Sequence, residues 1–511
     1  MRREGADSSR RAAWLVAGCL FVSYAWFFQG GGWNPNARLD LTRALATRGT
    51  IAIDAERHNT DDWALAGGHY YANKAPGFSF VALPGFVLGR WLAGSLGAGE
   101  TTALRIAAWS ANLLANALPT AALGALVFAS LAAWGIASLR ERAAIALALG
   151  LGTLLLPYAT AFYAHAPASA AGFAAFVAPW RARRVASPGR ARWLALAGGA
   201  AGGMAVLLEG SCVVVVATVA AALACDRRGR NLLPAFLAGG LPFALALGLY
   251  DFAAWGHPLR THLAFQNPGI EERRDGALFG APDLARVFGL TLSPFRGLFF
   301  SSPLLLLAFA GYGPLWRRDR FAAAVCAAAP LALFAAIASF HAWPGGWAPG
   351  PRYLVPAIPF LFPATALGMH RFPQVAWGVA GVSVAIMLAV TAVAVEIPPT
   401  IRDPLFAFVL PLLLAGRVSV NSQELDAWWF AHAYAVDMPA SWASFNLGEL
   451  VFFDSPLSLL PLLGIWAAFA LALARLPDTA ASATAGPPAS RQTVAHAAAN
   501  HRADAPDADA P

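Results

Sequence analysis

Behind the arginine pairs Arg2-Arg3 and Arg10-Arg11 runs Ala12-Ala13-Trp14-Leu15-Val16-Ala17-Gly18-Cys19-Leu20-Phe21-Val22-Ser23-Tyr24-Ala25-Trp26-Phe27-Phe28-Gln29-Gly30, without one charged side chain. As a helix, a run of this length crosses a hydrocarbon core of about 30 Å. It could pass for a secretory leader, but no small-residue cleavage site follows, so it reads as a retained first helix behind a cytoplasmic N-terminus at 1–11.

Outward from this stretch the pattern repeats. Apolar runs recur as far as Leu476, each bounded by Arg clusters or by Trp, Tyr and Pro, as interfacial anchors require. Hydrophobic residues make up 58% of the chain and charged residues 13%, with a mean hydropathy of +0.55, which excludes a soluble globular protein. The expected fold is all-α: a polytopic integral membrane domain over 12–476 with about twelve to fourteen spans. One stretch leaves the number open, because Ala103 to Ile136 is too long for one span and short for two. It is either a single helix or a hairpin broken at Pro119. Residues 477–511 are an Ala, Pro, Ser and Asp tail, expected to be disordered on the cytoplasmic side.

Arginine placement sets an expected orientation. Arg181 to Arg184, Asp226 to Arg228, Arg317 to Arg320 and His370-Arg371 fall on the cytoplasmic side by the positive-inside rule. The loops 31–74, 256–294 and 398–454, with the turns at His165, at Glu209-Gly210 and at Trp343 to Arg352, then face outward together. The net charge of +8 is thus a matter of topology and implies no nucleic acid partner. Asp403 to Arg417 is apolar but only about three helical turns long, and is expected to lie along the outer interface. Cys19, Cys212, Cys225 and Cys326 lack metal-type spacing and read as packing residues.

Polar chemistry gathers in the outward loops, and Lys74 is the chain's only lysine. Among so many arginines, a compact and movable ammonium suits a phosphate oxygen better than a flat guanidinium does. In the same loop the spacing from Asn36 predicts a helix with Asn36, Asp40 and Arg43 on one face and Leu41, Ala44 and Leu45 on the other. Such a helix would lie in the interface with its acids toward a cavity, where a carboxylate could act as general base. Asp40 is the first candidate, with Asp54, Asp61 and Asp62 as rivals. Arg296 and Arg352 stand where outer loops re-enter the membrane, a costly position unless an anion receives them, so both are candidates for donor phosphate binding with Lys74. Asn36, His69, His165, Glu209 and Trp347 are candidate cavity-lining residues, and Glu209 should have a basic partner. Trp33, Trp343, Trp347, Trp428 and Trp429 suit either a sugar face or an interfacial belt.

Pro35-Asn36-Ala37-Arg38-Leu39-Asp40 and Asn73-Lys74-Ala75-Pro76-Gly77 occupy the places of two motifs of the polytopic GT-C glycosyltransferases, the group that includes protein O-mannosyltransferases and aminoarabinose transferases. The chain resembles that group in its first hundred residues, although the usual Asp-Glu after the proline here reads Asn36-Ala37. Further elements resemble little-studied bacterial membrane proteins of the same type: Gly152 to His165, Ser293 to Pro303, Trp343 to Trp347, Gly350 to Leu354 and Asn446 to Leu450. The resemblance implies a multi-pass enzyme of the bacterial inner membrane. It would move a sugar from a polyprenyl-phosphate donor to a glycan, lipid or protein acceptor of the cell envelope, with inversion at the anomeric carbon. No cofactor is expected, although a divalent metal is compatible with the site; three cations would do its electrostatic work. The chain lacks a phosphate-binding Gly-x-x-x-x-Gly-Lys loop, a His-Glu-x-x-His helix and a cytoplasmic nucleotide-sugar domain. The rival expectation is a transporter or lipid-handling protein that binds an anionic lipid without chemistry, or a degenerate transferase.

Overall fold

The computed structural model describes residues 2–269, 277–421, 444–452 and 455–478. Trp428, Trp429 and residues 479–511 of the tail lie outside them. The principal helices are α1 (Arg2–Ala25), α2 (Trp33–Arg48), α3 (Gly77–Ser95), α4 (Glu100–Trp134), α5 (Leu139–Leu151), α6 (His165–Ala182) and α7 (Pro188–Leu208). They continue as α8 (Cys212–Cys225), α9 (Leu233–Trp255), α10 (Leu307–Arg318), α11 (Arg320–Ser339), α12 (Arg352–Arg371), α13 (Pro373–Val393) and α14 (Pro456–Ala474). Eight of these (α3, α4, α7, α9, α11, α12, α13 and α14) are long and apolar enough to cross a membrane. Helices α1, α5, α6, α8 and α10 are shorter or more polar and pack among them. The only sheets among the described residues are two antiparallel pairs: β1 (Phe27–Phe28) with β4 (Phe445–Asn446), and β2 (Trp63–Ala66) with β3 (His69–Ala72). The architecture is the expected all-helical, polytopic one.

The hairpin alternative fails, because α4 is one continuous helix of 35 residues. Pro119 has no N–H to donate and its ring would press on the carbonyl four residues back. The chain absorbs this with a wider π turn at Leu113–Ala117 just ahead of the proline. The wider turn keeps the helix going where a sequence reading sees a break.

Lipid offers apolar side chains no reason to associate, so helix pairing relies on backbones that approach closely over small residues. A Cβ at Gly199 of α7 would collide with the carbonyl of Phe236 in α9, and one at Gly311 of α10 with the carbonyl of Ala364 in α12. These contacts join the helix pairs that carry the basic loops at one end.

At that end Arg183 pairs with Asp226 at 2.7 Å, Arg184 with Asp319, and His370 with Glu141 at 2.7 Å. The opposite end collects α2, the β2–β3 hairpin, the break before α6, the loop after α7 and the segments before α12 and after α13. One expectation is corrected here. Helix α2 does not lie on an interface with one side down, because both its faces are covered. Ala37, Leu41 and Ala44 pack with the hairpin and the end of α9, and Leu39 packs with α3, α4, α6 and α7. Leu405–Leu414 is a helix of about 15 Å, too short to cross, as its length implied.

Candidate functional site

Lys74 owes its place to the hairpin. Gly67 and Gly68 take φ of 58° and 84°, the left-handed pair that closes a tight two-residue turn. The register Trp63↔Ala72 carries the pairing to the base of the hairpin, where the amide of Asn73 donates to the carbonyl of Asp62 at 3.1 Å. Asp62 and Lys74 therefore emerge side by side, and the Lys74 ammonium meets the Asp62 carboxylate at 2.9 Å.

From α2, Arg38 reaches the same region. Its Nε donates to Asn34 at 3.1 Å, and its Nη2 pairs with Glu209 in the loop after α7 at 3.3 Å. Glu209 thus has the basic partner its depth called for. Nδ1 of His165, at the first turn of α6, stands 3.3 Å from the same carboxylate without hydrogen-bond geometry, and its ring stacks on Tyr163 at 5.6 Å. The Arg38 and His165 side chains are closed to solvent, whereas Lys74, Asp62 and Glu209 keep 12–14% exposure. The cluster has a wet rim.

Behind the rim, three chain breaks leave backbone groups that water cannot reach and side chains must satisfy. Asn116, in the π turn of α4, donates to the carbonyls of Tyr158 and Ala161 at 2.8 and 2.7 Å. Asn112 donates to Ala159 at 3.2 Å. Gln29 donates to Thr391 at 2.9 Å, accepts from the amide of Val395 at 3.4 Å, and its own amide donates to Thr160. These clamps fix Tyr163 beside Glu396: the tyrosine hydroxyl donates to that carboxylate in a short contact. Arg352 closes the group from the start of α12, its Nη1 and Nη2 donating to the hydroxyls of Tyr163 and Tyr353 at 3.4 and 3.3 Å. Among the described residues no carboxylate comes within ion-pair distance of Arg352, and its Nε has no partner.

Of the expected residues, Lys74, Arg352, His165 and Glu209 come together. Asp40 does not join them. It stands two positions from Arg38, and 100° per residue puts the two on opposite faces of α2. Its carboxylate is fully buried, accepting from Asn59 Nδ2 at 3.2 Å, while Asn36 on the same face donates to the Asn59 carbonyl at 2.7 Å. Arg296 is likewise elsewhere engaged. Its guanidinium donates to the carbonyls of Pro344 (2.9 Å), Phe295 (3.2 Å), Ala348 (2.5 Å) and Gly346 (2.7 Å), so it clasps the loop leading to Arg352 and turns few donors to a ligand. His69 is exposed on the hairpin and pairs with Asp54 at 2.7 Å. Trp347 is half-buried in the clasped loop. Arg38, Tyr163 and Glu396 are the members that sequence reasoning missed. Glu396 carried a usable signal, a lone acid just beyond an apolar run.

Electrostatically the cluster leaves one cation over. Arg38 is matched by Glu209 and Lys74 by Asp62, while burial raises the Glu396 carboxyl from its ordinary value to about 7 against the opposing effect of the Tyr163 hydrogen bond. Arg352 therefore faces an acid that burial inclines toward its neutral form. A buried cation in this state favours an anionic ligand. Burial also pushes the Asp40 carboxyl well above the usual carboxylate range. Among the described residues no group of three or more His, Cys, Asp or Glu is placed to hold a metal ion.

No protein-family description and no characterised protein matches the sequence. Among solved structures, the chain is similar to ArnT from Cupriavidus metallidurans bound to undecaprenyl phosphate, with 18% identity over 90% of this chain and 76% of that one and a TM-score of 0.46. It is similar to the same protein in its apo state, with 18% identity over 78% and 67% and a TM-score of 0.45. A third likeness is to the oligosaccharyltransferase of Archaeoglobus fulgidus, with 12% identity over 75% and 54% and a TM-score of 0.38.

Proposed function

We propose that the chain is a membrane glycosyltransferase of the bacterial inner membrane, which moves a sugar from a polyprenyl-phosphate donor to a cell-envelope acceptor on the outer face. The observation that carries this reading is Arg352, a buried guanidinium held by two tyrosine hydroxyls, with no carboxylate in contact among the described residues, in the same ionic cluster as Lys74. A phosphate headgroup supplies the charge that Arg352 lacks.

In this reading Asp62, not Asp40, is the base. It accepts the proton of an acceptor hydroxyl or amine while the acceptor atom bonds the anomeric carbon. The bond from that carbon to the phosphate oxygen breaks, and its electron pair leaves with the phosphate. Protonating Asp62 also dissolves its ion pair with Lys74, so the ammonium is released to the departing phosphate as charge develops there.

Transfer from radiolabelled polyprenyl-phosphate sugars to cell-envelope fractions tests the assignment. Lys74→Ala and Asp62→Asn are each expected to lower transfer by about a hundredfold or more. Asp40→Asn is expected to change it by less than about tenfold, since Asp40 lies on the face of α2 away from the cluster, against Asn59, where burial disfavours its charged form. Full transfer by both of the first two variants would remove the site. Tight donor binding without turnover across the panel would point instead to a lipid-handling protein.

A further inference from the structure

At the opposite end of the molecule a cavity of about 390 Å³ lies between the C-terminal turns of α10 and α12. Its wall is Arg317, Arg318, His370 and Arg371, with Pro314 and Leu367 as its apolar part. We propose that this cavity binds the phosphate headgroup of an anionic membrane lipid, independently of the Lys74 cluster.

Topological arginines would explain basic residues at this end but not the convergence of four basic side chains on one recess. Other arginines at this end vary in state: Arg183 is matched by Asp226 and Arg184 by Asp319, whereas Arg181 donates to the Ser130 hydroxyl and the exposed Arg190 and Arg192 show no ion pair among the described residues. In the cavity, Glu141 engages His370 at 2.7 Å, and Arg318 donates to the carbonyl of Trp134. Arg317 and Arg371 have no acidic partner among the described residues; Arg371 lies only against the Phe372 ring, at 5.3 Å. Like charges gathered in a recess repel one another unless an anion enters, and a phosphate takes several guanidinium donors at once. The surroundings place the recess at headgroup depth. Trp316 and Phe372, next in the chain to Arg317 and Arg371, stay 46–48% exposed, the pattern of rings at a membrane–water boundary. A phosphate with acyl chains beyond those rings matches both parts, and basic pockets between helix ends are known places for such headgroups.

The full chain, purified in detergent, is titrated with phosphatidylglycerol, phosphatidylcholine and glycerol 3-phosphate, with bound lipid counted by native mass spectrometry. R317Q/R371Q is compared with R190Q/R192Q, which removes two exposed arginines from the start of α7. Wild type and control should bind phosphatidylglycerol alike, and the double variant about tenfold more weakly. Phosphatidylcholine should compete poorly, and glycerol 3-phosphate should bind far more weakly than the lipid. Equal loss in the control, unchanged affinity in the double variant, or phosphatidylcholine binding as tightly as phosphatidylglycerol would overturn the proposal. Glycerol 3-phosphate binding as tightly as the lipid would overturn the lipid part in favour of a soluble phosphate. If the double variant does not fold, R317Q and R371Q singly, each about threefold weaker, serve the same comparison.

Discussion

At the end carrying Lys74 the ionic groups are buried and interlocked: Arg38 with Glu209, Lys74 with Asp62, Tyr163 with Glu396, and Arg352 held by two phenols. At the end carrying Arg317 several charges reach solvent, as Arg184 and His370 do at 43–45% side-chain exposure, and Arg317 and Arg371 are among several arginines with no acid in contact among the described residues. Both ends are rich in arginine, so composition does not distinguish them. The difference lies in solvent. Water reaches and screens more of the charges at the open end, whereas at the closed end most donors need a protein partner or a ligand.

The contrast breaks most sharply on removal of a cation. Arg38→Ala leaves Glu209 without its ion-pair partner at a largely closed site, and is expected to cost about 3–5 kcal/mol in denaturant titration in micelles. Arg317→Ala, exposed and unpaired, should stay within about 0.5 kcal/mol. Equal losses would mean that burial does not separate the two ends.

A pH titration of stability probes the closed end next. Because the folded Glu396 carboxyl titrates at about 7 and the unfolded one near 4.5, the native state binds the extra proton between these values. Stability should therefore fall as pH rises from about 4.5 to 7, by about 3 kcal/mol, and level off above. Glu396→Gln should flatten that slope, and an unchanged slope would acquit this carboxyl. Smaller still, Asn116→Ala strips donors from two buried carbonyls and should cost about 1–3 kcal/mol. Last, Arg183→Ala at the other end should cost about 1 kcal/mol or less, because its pair is partly exposed and screened by salt.

Much of this frame could be read from residues. Uncharged runs between arginine clusters gave the spans, the spacing from Asn36 gave α2, and the isolation of Lys74 singled out a side chain that does sit in the ionic cluster. What remained hidden has identifiable physical causes. Periodicity assigns Arg38 and Asp40 to different faces of α2 but does not say which face meets the other charges, since that depends on α3, α6 and α7 packing against it. Arg296 looked available because its partners are main-chain carbonyls, which no side-chain pattern displays. Pro119 suggested a break because a π turn leaves no mark in composition. Asp62 was one acid among several until the hairpin register set it beside Lys74.

Gln29 binds backbone at Thr160 and, more than two hundred residues further along the chain, at Thr391 and Val395. During synthesis the first of these partners emerges early and the others only when some four-fifths of the chain exists. The ionic cluster is therefore completed late: Lys74–Asp62 and Arg38–Glu209 involve only the first 209 residues, whereas Arg352 and Glu396 arrive last. Until the stretch after α13 arrives, the first loop holds its lysine paired only with Asp62, and any translation product ending before Glu396 lacks the partner of the Tyr163 hydroxyl.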